Sequence, residues 1–130
     1  MSQAPRWRPT RLQAFGHALR GVWLLLRTQP HARFHLAAGL AVVALGLALR
    51  IDGWRWAAAI GAIGLVVAAE ALNTAVEFVV DLASPEWNEL ARDAKDVAAG
   101  AVLLASLAAA ALGALAFAEP LLRLWRSTSW

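Results

Sequence analysis

The 130-residue sequence predicts an all-α membrane protein, a single domain over 1–130 with one amphipathic surface helix followed by three transmembrane helices. Three observations carry this. First, 60% of the residues are hydrophobic, only 16% are charged, and the mean hydropathy is +0.55. Soluble domains are nearer one-quarter charged, and so short a chain cannot hide this much apolar surface in a core of its own. Second, the apolar residues fall in long runs separated by short segments marked by Pro30, by Asp52-Gly53 and by Ser84-Pro85. Third, the basic residues sit at the ends of those runs, where they can anchor at a membrane interface.

Other classes are excluded on the same grounds. The net charge is +3 and the pI about 11.0, yet no basic stripe alternates with stacking aromatic residues, so nucleic acid is not an expected partner. The absence of cysteine excludes a disulfide framework, a thiolate metal site and a cysteine nucleophile. Arg6, Arg8 and Arg11 are not followed by the apolar core and small-residue cleavage site of a signal peptide.

Each element has its own signal. Residues 1–11, basic and broken by Pro5 and Pro9, are expected to be a flexible start. Over 12–28, Leu12, Phe15, Leu19, Val22 and Leu26 recur at three- and four-residue steps. With Trp23 and the arginines, this predicts a helix lying in the membrane interface. Pro30 breaks the pattern. The first span is expected at 34–49, short of the ~20 residues a bilayer asks for, with Arg33 and Arg50 snorkelling at its ends. Asp52-Gly53 reads as the turn, followed by Trp54 and Trp56 at the interface.

The second span is expected at 54–80, ending at Ser84-Pro85-Glu86. A polar connection through Asp96 leads to a third span at 97–118, closed by Glu119-Pro120. Gly61, Gly64 and Ala68, with the alanines of the third span, are small enough for close helix approach. Eight basic residues fall on the side of the N-terminus and the second connection, against four on the other side (Arg50, Arg55, Arg123 and Arg126). The positive-inside rule therefore puts the N-terminus in the cytoplasm.

The chemistry concentrates on the second span. Glu70, Asn73, Glu77 and Asp81 share one helical face. An ionised side chain at mid-bilayer costs about 2.5–3.5 kcal/mol on insertion scales, so such residues mark a function by default. Three readings stand at this point. The row can bridge helices, although two acids with no base at the same depth make poor glue. It can conduct protons or ions. Or it can be an active site, one acid serving as general base and the other as a ligand for Mg²⁺, which prefers oxygen. Lys95 and Asp96, at the start of the third span, suit the last reading, because a lysine there can hold a nucleotide phosphate. There is no GxxxxGK[ST] loop and no kinase glycine-rich loop.

EALNTAVEFVVD (Glu70 to Asp81), DAKDVAAGAVLL (Asp93 to Leu104) and RFHL (Arg33 to Leu36) together resemble the prokaryotic diacylglycerol kinase family, which includes the undecaprenol kinases. The resemblance runs from about residue 12 to 118. It implies a homotrimer in the bacterial cytoplasmic (inner) membrane that uses ATP and Mg²⁺ to phosphorylate a lipid hydroxyl. On this resemblance Glu70 corresponds to the catalytic base, with Asn73 beside it, and Glu77 to a metal ligand. Lys95 and Asp96 correspond to nucleotide contacts, and Glu86, Trp87 and Asn88 fall where the family touches the nucleotide. The position of a second acidic metal ligand holds Gln29, whose amide oxygen can ligate but adds no charge. The implied reaction is diacylglycerol to phosphatidic acid, in phospholipid recycling. The alternative is undecaprenol to undecaprenyl phosphate, and a proton- or ion-conducting protein is the reading from a different class.

Overall fold

A computed structural model describes residues 10–128 of the chain. The flexible start expected at 1–11 lies outside the described residues as far as residue 9. Four helices follow: α1 (Arg11–Thr28), α2 (Pro30–Ala48), α3 (Gly53–Ala83) and α4 (Glu89–Thr128). The last three are long and apolar enough to cross a membrane, and the described residues contain no strand.

Helix α1 starts on a capping box. The Thr10 side chain accepts from the Gln13 amide, and the Gln13 side chain accepts from the Thr10 amide. Leu12, Phe15, Leu19 and Val22 remain exposed on it, while Leu25 is buried. That is the surface expected of a helix whose apolar face meets lipid. Arg27 lies over the Trp23 ring at 5.0 Å. Gln29, in extended conformation, is the whole joint between α1 and α2.

Pro30 does not end a pattern so much as begin a helix. It is the first residue of α2, so the first span starts four residues earlier than the expected 34–49. Proline is suited to this position because its missing N–H would have had no partner there. At the far end of α2 the turn also differs from expectation. The left-handed residue is Arg50 (φ 49), and Gly53 is already inside α3. The Arg50 amide donates to Leu47 O at 3.2 Å and the Ile51 amide to Gly46 O at 3.1 Å, a Schellman closure. This folds Ile51 over Gly46, where a Cβ would lie 3.0 Å from Ile51 Cδ1 and 2.9 Å from Trp56 Cη2.

Helix α3 runs Gly53–Ala83, slightly longer than 54–80 at both ends. The main correction concerns α4. The expected 97–118 is the middle of a 40-residue helix, and the polar connection shrinks to the five residues from Ser84 to Asn88. Asn88 Oδ1 accepts from the amides of Leu90 (2.9 Å) and Ala91 (3.2 Å), capping a helix whose first residue, Glu89, lies eight positions before the predicted start. Pro120 does not stop it either. It removes one backbone bond, and Glu119 pairs with Arg123 one turn on.

The interior is made of small residues. Ala59, Ala62, Ala105 and Ala116 are buried, together with Ile51, Val66 and Phe117, while leucines such as Leu40, Leu72, Leu104 and Leu115 face outward. This inversion suits a bilayer, where leucine gains nothing by leaving lipid and close backbone approach supplies the packing. Gly39, beneath Ile63, takes part in such an approach; Gly61 and Gly64 have open space where a Cβ would stand. At the far end, buried Arg55 pairs with Asp52 and with Glu119, tying the α2–α3 turn to α4.

Candidate active site

The start of α2, the end of α3 and the start of α4 meet at one end of the bundle. The carboxylate row runs toward that end. Exposure rises along it: Glu70 is buried at 5%, Asn73 and Glu77 are half-buried, and Asp81 is exposed. At 1.5 Å per residue, Glu77 lies about 10 Å and Asp81 about 16 Å along α3 from Glu70.

Glu77 is held by two amides. Asn73 Nδ2 donates to its Oε1 at 3.0 Å, and Gln29 Nε2, from the α1–α2 joint, donates to its Oε2 at 3.4 Å. Gln29 and Glu77, 48 positions apart in the sequence, are thus within hydrogen-bonding distance of each other. Asn73 Oδ1 and the hydroxyl of Thr74 are buried with no hydrogen-bond partner. Such groups are costly unless something else fills the site. Among the described residues no three His, Cys, Asp or Glu side chains converge as a metal cage. The donor set here is one carboxylate and two amides, all able to present oxygen, which fits Mg²⁺ only if substrate phosphates complete the shell.

Lys95 pairs with Asp81 across α4 and α3. Around this pair opens a cleft of about 310 Å³, lined among others by Glu86, Trp87, Asn88, Arg92 and Lys95. Five of the residues that sequence reading nominated or left without a role therefore share one cavity with Arg92. Asp96 does not line it; it faces Arg92 at 3.9 Å on the exposed side of α4. Two details differ from expectation. Lys95 sits in the second turn of α4 rather than beside its N-terminus, so the helix end does not reinforce its pull on anions. And the Asn88 side chain is occupied in capping.

Sequence reading missed three residues. His35, on α2, places Nε2 3.2 Å from Glu70 Oε1. Arg92 lines the cleft and bridges to Asp93 at 3.0 Å. Thr74 is buried one turn from Glu70. For His35 the signal was present, since an ionisable side chain inside a span is itself a flag.

Comparison with known proteins identifies the family. The family model for "Prokaryotic diacylglycerol kinase" matches residues 16–117. The chain is 38% identical over 105 residues to a Bacillus subtilis protein named undecaprenol kinase, covering 81% of this chain and 85% of the relative. It is 41% identical over 117 residues to a Synechocystis protein named diacylglycerol kinase, covering 89% and 67%. The diacylglycerol kinase of Escherichia coli K12 is 32% identical over 98 residues, covering 75% and 80%. A membrane bundle with an acidic row on its second span, matched by a family model across most of its length, leaves one conclusion: the chain belongs to the prokaryotic diacylglycerol kinase family.

Proposed function

We propose that the chain transfers the γ-phosphoryl group of ATP to the hydroxyl of a membrane lipid, with diacylglycerol giving phosphatidic acid. The observation that carries this is the order of groups along α3. A buried carboxylate, Glu70, comes first, then an oxygen-rich cluster at Glu77, then a cationic cleft at Lys95. A nucleotide lying in the cleft would direct its phosphates inward along this row, and a lipid hydroxyl entering from the bilayer would meet them at Glu70.

Phosphoryl transfer asks mostly for positioning and charge stabilisation. In this reading Glu70 takes the hydroxyl proton, as a general base within hydrogen-bond reach. Lys95 releases Asp81 to hold phosphate oxygens, and Arg92 adds a second positive charge to the cleft. Trp87, exposed at the mouth, offers a face for the nucleobase, with Glu86 beside it; Asp96 acts from outside the cleft through Arg92. Glu77 and Gln29, with Asn73 Oδ1 next to them, would hold Mg²⁺ once the Gln29 amide turns its oxygen toward the site. When bound, the ion neutralises charge on the transferring phosphate.

The N-terminus and the Ser84–Asn88 connection lie in the cytoplasm in this reading, on the excess of basic residues at that end. The working form is a homotrimer in the cytoplasmic membrane. Supporting this, an apolar groove of about 680 Å³ between α3 and α4 runs past Asn73 and Val76 at site height, where a neighbouring subunit would shield the polar row from lipid.

Undecaprenol is the second reading for the substrate, favoured by the name of the Bacillus subtilis relative. Mixed micelles containing either lipid, with labelled ATP and Mg²⁺, decide between them by their kcat/KM values. Label in neither lipid refutes the kinase. Proton conduction predicts pH-driven flux in liposomes without ATP, unaffected by Lys95→Ala.

A further inference from the structure

The Glu70 carboxylate is a buried acid without a basic residue on its own helix at its own depth. Ionised and unpartnered, such a group is strongly unfavourable. Its partner comes from α2. His35 Nε2 stands 3.2 Å from Glu70 Oε1, and among the described residues no other side chain pairs with this carboxylate. The imidazole is itself three-quarters buried, with 22% of its side chain exposed. The Phe34 ring packs edge-on to it, with centroids 5.5 Å apart and planes at 74°. Its other side borders a cavity of about 300 Å³ between α2, α3 and α4, whose only other polar side chain is Ser106.

We propose that His35 is a positioning residue for Glu70, an inference that rests on the kinase reading. Its Nε2–H donates to Oε1 of Glu70, which fixes the plane of the carboxylate and leaves Oε2 to receive the proton of the lipid hydroxyl. As the lipid oxygen bonds to the γ-phosphorus, its O–H bond breaks and the proton passes to Glu70 Oε2. The bond from the γ-phosphorus to the bridging oxygen breaks, and its electron pair leaves with ADP. The proton on His35 stays where it is. The residue acts by orienting the base and by stabilising its anionic form in a dry site, as a neutral donor does for a carboxylate elsewhere.

The test uses the full chain in mixed micelles with ATP, Mg²⁺ and whichever lipid the wild type phosphorylates. His35→Phe keeps a ring against Phe34 and removes the donor. It is expected to lower kcat roughly 10- to 100-fold, the size typical of a group that orients another, with both KM values within about twofold of wild type. His35→Gln returns an N–H and is expected to recover most of the rate. His35→Ala opens a hole beside the apolar cavity, so imidazole in the buffer is expected to raise its kcat. Each variant is decisive alone, should another fail to fold. Wild-type kcat in His35→Phe, a His35→Gln as impaired as His35→Phe, or a His35→Ala indifferent to imidazole would each overturn the proposal. Wild type and Glu70→Gln run alongside. If the wild type labels no lipid, the kinase reading fails. If the wild type is active, Glu70→Gln is silent and His35→Phe is normal, only the role of His35 fails.

Discussion

At the scale of single residues, the site is a division of labour among acids that look alike in the sequence. Glu70 is buried with an imidazole nitrogen 3.2 Å away; Glu77 is half-buried between two amides; Asp81 is exposed and paired with a lysine. Under the proposed mechanism, environment alone separates their tasks. Glu70→Gln is expected to lower kcat by about 10²- to 10⁴-fold, the range for loss of a general base, in a protein whose circular dichroism is unchanged. Glu77→Gln is expected instead to raise the Mg²⁺ concentration needed for half-maximal rate, with chelation by EDTA silencing the wild type altogether. Lys95→Ala is expected to raise the KM for ATP far more than that for lipid, which steady-state kinetics varying each substrate in turn will read. The shared face of Glu70, Asn73 and Glu77 was legible in the sequence, because helical periodicity is local. The partners were not. His35 and Gln29 reach the row from another helix and a joint, 35 and 48 positions away, and nothing in a single chain's periodicity encodes which face of one helix will meet another.

At the scale of helices, all four were legible from their apolar runs, while their ends were not. Pro30 and Pro120 read as breaks, yet one starts a helix and the other is absorbed within one. A proline costs most in mid-helix and least in the first turn, so its meaning depends on where the cap falls. The cap at Asn88 was hidden in a polar stretch that read as a loop. Small residues divide in the same way. Gly46 and Gly39 lie under neighbouring side chains, whereas Gly61 and Gly64 face open space within the chain. Gly46→Ala forces a methyl against Ile51 and Trp56 and is expected to destabilise the protein by about 1–3 kcal/mol. Gly64→Ala fills nothing within the subunit and gains helix propensity, so its thermal midpoint in detergent is expected to match or exceed that of wild type. A drop for Gly64→Ala would reveal a second subunit packed on that face.

At the scale of the molecule, the two ends of the bundle are built differently. One end carries the cleft, the acidic row and the Gln29 joint. The other is fastened by Arg55 between Asp52 and Glu119, with Trp54 stacked on the guanidinium at 4.7 Å. Arg55 is buried while both acids are exposed, so Arg55→Met leaves only solvated carboxylates and is expected to be tolerated better than Glu119→Leu, which leaves the buried guanidinium with Asp52 alone. Thermal unfolding in detergent, followed by circular dichroism, ranks the two.

The helices also differ in length. Helix α2 has 19 residues and α4 has 40, or about 28 Å against about 60 Å. Helix α4 can stand in a bilayer of almost any thickness, while α2 has nothing to spare against a hydrocarbon core of about 30 Å. The short helix is therefore a depth gauge. It carries His35 one and a half turns below its first residue, and so sets how far beneath the headgroups the Glu70 pair is held. In bilayers with longer acyl chains α2 is drawn inward or the lipid must thin around it, and in either case the hydroxyl of an incoming lipid floats at a different height from the Glu70 carboxylate. Lipid chain length in the surrounding membrane then becomes a variable of the reaction, even for acyl chains that never enter the site.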